Sequence, residues 1–259
     1  MKQRIITAIL ALIIFIPIVI YGNWPFILLA YLLAIIGLFE LLNMRFSKGY
    51  FVLPIILVII SLIYLLLPNE YLITNLPKAN ILIALILLLL MYTVFSKNKF
   101  TFDDVGFMII SLIYISIGFY FLIYARELGL NYLLFILFVI WSTDTGAYFS
   151  GYAFGKRKLW PKISPNKTIE GAVGGLLLAV IVGAIFQYVH PFNLSFILVV
   201  GTAVVISVFG QIGDLVASAY KRHFNIKDSG HILPGHGGIL DRLDSLLFVL
   251  PILYLINFL

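Results

Sequence analysis

Apolar runs recur along nearly the whole chain, at about 5–21, 24–44, 51–67, 80–96, 105–124, 130–150, 170–188, 194–213 and 244–259. A helix needs about 20 apolar residues to cross a hydrocarbon layer ~30 Å thick, and these runs are of that order. Inside hydrocarbon every backbone N–H and C=O must find its partner within the chain, so such runs fold as helices. Composition agrees: 63% of residues are hydrophobic, 11% are charged and the mean hydropathy is +1.12. A soluble domain carries roughly 25% charged residues. The expected fold is therefore all-α, a polytopic integral membrane protein with about nine transmembrane helices. Pro17 and Pro54 fall inside apolar runs, where neighbouring helices can re-satisfy the freed backbone groups. No internal repeat, low-complexity run or linker divides the chain. Residues 1–259 read as a single membrane domain, with N-terminal helices over about 1–125 and a part rich in polar motifs over about 130–259.

The charged start Met1-Lys2-Gln3-Arg4 lacks a small-residue cleavage site downstream, and further apolar runs follow at once. The first run thus reads as a transmembrane helix rather than a signal peptide. The chain holds no cysteine, which excludes a disulfide, a thiolate metal site and a catalytic thiol. With the N-terminus cytoplasmic, alternating connections place all seventeen lysines and arginines on the cytoplasmic side except Lys78 and Arg126. That is the bias that orients membrane proteins. The two longest polar segments, 151–169 and 218–243, then share that face, and a polar cavity open to the cytoplasm is expected there.

Charge concentrates most tightly between Gln211 and Asp244, which hold Asp214, Asp228, Asp241 and Asp244 of the chain's eleven carboxylates and His223, His231 and His236 of its four histidines. Ionisable groups beside membrane segments are costly and tend to be functional. If the eighth helix runs on through Ala219-Tyr220-Lys221-Arg222, Asp214 and Ser218 are i,i+4 neighbours with the two cations a turn further on. The stretch Pro234-Gly235-His236-Gly237-Gly238 cannot be regular helix, and its glycines permit close backbone approach to a ligand. Asp241, Asp244 and Ser245 then share one face at the start of the last helix, where carboxylates meet a positive helix end.

Three carboxylates able to converge beside lysine and arginine suit phosphate chemistry. Mg²⁺ takes oxygen ligands, usually one or two carboxylates plus substrate phosphates, and arginine can bind a phosphate bidentately. Lys227, Asp228 and His231 fit equally a solvated loop that attracts anionic headgroups. Asp144 interrupts an apolar run within Trp141–Gly151; it either lines a cavity or staples helices by hydrogen bonds. Gly151 to Lys156 is one residue short of a phosphate loop, and no Ser or Thr follows the lysine. In Ser164-Pro-Asn166-Lys167-Thr168-Ile-Glu170-Gly171, the polar residues can cap the next helix, and its start with Lys167 can receive an anion. Glu170 suits a helix start in its own right. Gly171 and Gly175 read as a packing pair. Glu40 is an interfacial or a cavity carboxylate.

Ser218-Ala-Tyr-Lys221-Arg222, then Lys227-Asp228, then Pro234-Gly235-His236-Gly237-Gly238-Ile-Leu-Asp241-Arg242-Leu-Asp244 closely resembles the signature of phosphatidate cytidylyltransferases, also called CDP-diacylglycerol synthases. Ser164 to Gly171 and Asp144-Thr-Gly-Ala-Tyr148 are similar to further stretches of that family, so the resemblance covers residues 141–244; the N-terminal helices match only in hydropathy. Tyr220 departs from it, standing where the pattern has an aliphatic residue. The resemblance implies a Mg²⁺-dependent enzyme that joins CTP to phosphatidic acid, giving CDP-diacylglycerol and pyrophosphate, with a second cation left open. It implies that Asp214 and Asp241 hold the metal, with Asp244 and Ser218 beside it. Lys167, Lys221 and Arg222 would contact phosphates, and Asp144 would line the cavity. Ser164, Asn166, Lys227, Asp228, His236, Gly237 and Arg242 complete the expected substrate contacts. The same resemblance suggests a homodimer, and the absence of a targeting extension favours a bacterial inner membrane; the lipid bilayer is an expected partner and nucleic acid is not. A CTP-dependent polyprenol kinase or an archaeal-type lipid cytidylyltransferase would share the nucleotide and metal; pyrophosphate release marks cytidylyl transfer and CDP release marks a kinase. A transporter with an acid relay through Glu40, Asp144 and Asp214 is the reading from another class, and polar residues gathered at one face count against it.

Overall fold

A computed structural model describes residues 13–46, 51–67, 77–232, 235 and 237–259. The helical segment 13–21 (α1) is followed by α2 (Asn23–Phe46), α3 (Val52–Leu66), α4 (Lys78–Phe95), α5 (Phe102–Leu128), α6 (Leu130–Phe154), a β-hairpin of β1 (Lys158–Trp160) and β2 (Ser164–Thr168), then α7 (Ile169–Val189), α8 (Phe196–His223) and α9 (Leu240–Leu255). Six of these, α2 and α4 to α8, are long and apolar enough to cross a membrane. The protein is thus a helical, multi-pass membrane protein by length and composition. The helices α3, of 15 residues, and α9, of 16 residues, rise only about 22–24 Å at ~1.5 Å per residue. They fall short of the ~30 Å layer that an independent span would fill.

The fold is all-α as expected, and the polar segment after α6 adds one short antiparallel hairpin. Lys158 pairs with Thr168 and Trp160 with Ser164, and Ile169 N donates to Arg157 O at 2.9 Å to close the base. Pro165 lies in β2, which pairs with β1 alone; an edge position tolerates its missing N–H. Pro54 falls in the first turn of α3, where an N–H has no helical partner anyway, so no kink is demanded. Pro17 lies in α1. The eighth helix does run on beyond the apolar run, to His223.

Charged contacts fix which helix ends lie together. Arg45 Nε near the end of α2 meets Asp104 Oδ1 near the start of α5 at 2.6 Å, and Asp104 also forms a capping box with Thr101. At the opposite end of α5, Arg126 donates from Nε to Val19 O at 2.7 Å and from Nη2 to Ile20 O at 2.9 Å, closing the C-terminal turn of α1. The helices α6 and α7 approach most closely: a Cβ built on Gly175 would stand 2.7 Å from Thr143 O, and one on Gly171 would stand 2.9 Å from Ala147 O. The glycine pair is therefore a packing device. Buried aromatic rings Phe135, Phe186, Phe192 and Phe258 pack together at the far ends of these helices. The hairpin, the end of α8 and the start of α9 gather at the other end.

Candidate active site

The site is built on one face of α8. Asp214, Ser218 and Lys221 recur at i, i+4 and i+7, so they line up along the last turns of the helix. Ser218 Oγ donates to Asp214 Oδ1 at 3.5 Å. Each charged member of this row has an oppositely charged partner from another element. Lys167 in β2 reaches Asp214 Oδ2 at 2.5 Å. Lys221 reaches Asp241 Oδ1, in the first turn of α9, at 2.6 Å. The second pair is deeply set, with side chains 12% and 6% exposed. Asp241 Oδ2 also accepts backbone N–H groups from Ser229 at 2.8 Å and Gly238 at 2.9 Å. Gly237 has φ of +85°, a conformation that glycine adopts without penalty. A Cβ there would stand 2.6 Å from Asp241 Oδ2.

A cavity of about 630 Å³ opens beside this row, between α6, the hairpin, α7 and α8. Asp144, Asn166, Lys167, Gln211 and Asp214 supply its polar wall, and Tyr148, Tyr152 and Leu159 its apolar one. Asp144 lines it instead of stapling helices together. Asp144 repels Asp214 and is attracted to Lys167 and Arg242, while Asp214 also repels Asp244. Asp144, Asp214, Asp241 and Asp244 thus form one acidic neighbourhood held in check by Lys167, Lys221 and Arg242. A second cavity of about 340 Å³ lies against the other side of α8 and is walled mainly by apolar residues such as Leu41, Phe107 and Val216.

Several expected contacts sit elsewhere. Arg222 donates from Nε to Ile163 O at 3.4 Å and from Nη1 to Ile226 O at 3.1 Å, so it ties the hairpin to the turn after α8 and does not line the cavity. Ser164 lies in β2, outside the cavity lining. Lys227 and Asp228 are exposed in the loop between α8 and α9. His236 lies outside the described residues. Thr168 is the residue of the hairpin that caps α7, accepting from Gly171 N at 3.1 Å. Glu170 accepts from the backbone N–H groups of Lys156 at 3.1 Å and Arg157 at 3.2 Å, a structural role. Glu40 is buried away from Asp144 and Asp214, against the loop before α9, so it extends no acid relay through them.

Gln211, Tyr148 and Tyr152 line the cavity without having been singled out from the sequence. For Gln211 a signal existed, since it precedes Asp214 by three residues on the same helix face. As a Mg²⁺ site the acidic neighbourhood has the right donors, all hard carboxylate oxygens. Among the described residues, however, no three acidic or imidazole groups are close enough to share an ion. The expected pair, Asp214 and Asp241, with Asp244 and Ser218 beside it, stands on α8 and α9 with a lysine on each of the two carboxylates. Lys221 and Lys167 occupy oxygens that a cation would need. Fewer carboxylates completed by substrate phosphates suit this arrangement better.

Residues 2–259 match the model of the cytidylyltransferase family. A phosphatidate cytidylyltransferase of Bacillus subtilis (strain 168) is 50% identical over 260 residues, covering 98% of this chain and 96% of the relative. One from Staphylococcus haemolyticus (strain JCSC1435) is 50% identical over 255 residues, covering 98% and 97%. One from Staphylococcus aureus (strain COL) is 48% identical over 254 residues with the same coverage.

Proposed function

The chain belongs to the cytidylyltransferase family, and from that premise we propose that it transfers CMP from CTP to phosphatidic acid, giving CDP-diacylglycerol and pyrophosphate. The observation that carries the reading is the row of paired charges on α8, Lys167–Asp214 and Lys221–Asp241, beside a polar cavity. Nothing in it resembles a nucleophile with its base. None is required, because a phosphate monoester has a second pKa near 6 and arrives mostly dianionic at pH 7. Its oxygen attacks the α-phosphorus, a new P–O bond forms, and the bond to the β-phosphate oxygen breaks to release pyrophosphate.

The difficulty is bringing two polyanions together, so the work is positioning and charge neutralisation. An arriving phosphate competes with the carboxylates for the ammonium groups of Lys167 and Lys221. Each lysine that turns to phosphate frees an aspartate oxygen, on Asp214 or Asp241. Asp214 and Asp241, with Asp244 and Ser218 alongside, are the residues that would hold Mg²⁺ and any second cation. When bound, that ion supplies further neutralisation of phosphate charge. Gln211 orients within the wall by donating from Nε2 to Ala172 O at 3.3 Å. Asp144 and Asn166 border the same space, and Arg242 beside Asp144 adds a cation. Lys227, Asp228, His236 and Gly237, which lie between α8 and α9 in the sequence, complete the substrate contacts of this reading.

The same reading takes the gathered end of the bundle as cytoplasmic in a bacterial inner membrane, with α1, α3 and α9 as shorter membrane segments packed among the six long helices, about nine segments in all. Support comes from the sorting of basic residues along the sequence and from the contacts that put Arg45, Lys167, Lys221 and Arg242 at one end. The family resemblance suggests a homodimer. The test is a Mg²⁺-dependent assay in detergent with phosphatidic acid and CTP labelled at the α-phosphate. Label moving into the lipid fraction with stoichiometric pyrophosphate supports the reading; release of CDP identifies a kinase and overturns it.

A further inference from the structure

Glu40 is 3% exposed, in the N-terminal helix α2, and no cation pairs with it among the described residues. A buried carboxylate is expensive unless donors surround it. Its donors all come from one stretch some two hundred residues away. Ser229 Oγ donates to Oε2 at 3.1 Å, Ile239 N to Oε1 at 2.9 Å and Leu240 N to Oε2 at 3.0 Å. Ile239 and Leu240 are the first residues of the turn that begins α9, and α9 has no side-chain cap of its own from Ile239. Isoleucine is a poor N-cap residue. Glu40 therefore caps α9 from another helix, with its carboxylate at the positive end of the α9 dipole.

The neighbouring glycines make room for that carboxylate. A Cβ on Gly230 would stand 2.5 Å from Glu40 Oε1, and one on Gly238 would stand 2.5 Å from both Oε1 and Oε2. Gly37, one turn earlier on α2, does the same for the Leu240 side chain, whose Cδ2 would lie 3.1 Å from a Cβ at that position. The groups that Glu40 grips alternate with those that hold Asp241. Ser229 presents its hydroxyl to Glu40 and its N–H to Asp241, and Gly238 N, next to Ile239, also bonds Asp241.

We propose that Glu40 is a positioning residue: from α2 it fixes the loop and the first turn of α9 so that Asp241 and Asp244 face Lys221 and Asp214. This rests on the reading of that face as the reacting one, though the arrangement it predicts is measurable without any reaction. Glu40→Gln nearly conserves shape but turns one acceptor into a donor that faces a backbone N–H. The test combines two measurements on the full chain in detergent. In hydrogen exchange without nucleotide or Mg²⁺, the amides of Ser229, Gly238, Ile239 and Leu240 exchange at least tenfold faster in Glu40→Gln, while those of α6 and α7 are unchanged. In the transfer assay kcat falls about 100-fold, the scale of a ~1 Å misplacement, and KM for CTP stays within twofold. Ser229→Ala, which removes one of the three donors, gives the same pattern with a smaller amplitude and serves if Glu40→Gln does not fold. Unchanged exchange with kcat within twofold overturns the proposal, and so does exchange that rises equally throughout the protein. If the wild-type protein transfers no label, the transfer reading fails and the exchange result still decides the role of Glu40.

Discussion

Replacing Asp241 by Asn tests the charge row at its most buried point. The carboxylate joins Lys221 Nζ at 2.6 Å and two backbone N–H groups at 2.8 and 2.9 Å, with the paired side chains only 12% and 6% exposed. An asparagine can keep its carbonyl oxygen on the two N–H groups, because the loop donors are fixed. Its NH₂ then faces the Lys221 ammonium, and donor meets donor. Breaking a buried pair by removing one partner leaves an uncompensated charge and costs about 3–5 kcal/mol. The predicted outcome is a loss of that order in stability, read by unfolding in a fixed detergent, together with loss of label transfer from CTP to lipid. A companion Lys221→Met variant separates the terms: Asp241 retains its two N–H bonds, so stability falls less. The double variant should recover more than about 1 kcal/mol relative to the sum of the two, since the sites are in direct contact. Near-normal transfer by Asp241→Asn at saturating Mg²⁺, or additive stability effects, would refute the reasoning.

Lys167→Met should raise KM for CTP about 10- to 100-fold with a smaller effect on kcat, since a charge-assisted hydrogen bond contributes roughly 1.5–3 kcal/mol; steady-state kinetics on both substrates checks it. Gly175→Leu should push α6 from α7, because even a Cβ would stand 2.7 Å from Thr143 O. Overpacking of this kind costs about 1–3 kcal/mol, read as a lower melting temperature and lost activity together. Thr168→Ala removes the cap of α7 and should cost about 1 kcal/mol, read as a lower melting temperature. Chelation by EDTA should abolish transfer, and excess Mg²⁺ should restore it.

Much of the fold was legible because membrane helices leave a coarse signal. The apolar runs at 105–124 and 130–150 correspond to α5 and α6, and the run at 194–213 to α8, which continues through Lys221 and Arg222. The hairpin over 158–168 carried no such signal, because two strands of three and five residues are shorter than any periodicity that hydropathy can resolve. At the site, Asp214, Ser218 and Lys221 were legible as a single helix face, and Asp241 with Asp244 as another. Arg222 adjoins Lys221 in sequence, yet successive helical residues point about 100° apart, so it meets the carbonyls of Ile163 and Ile226 while Lys221 meets Asp241.

The chain's own pattern of apolar runs and tightly grouped charges determined a helical membrane protein and the polar clusters that stand beside its helices. Those are local properties, set by transfer free energies and helical spacing. Pairing was decided only in three dimensions. Which lysine neutralises which aspartate, which glycines let α6 and α7 touch, and the link from Glu40 to the start of α9 all depend on contacts between segments far apart in the sequence. Glu40 shows the reason most plainly. Nothing near it in α2 distinguishes an interfacial glutamate from a buried one, and only the N–H groups of Ile239 and Leu240, about two hundred residues on, make its burial affordable.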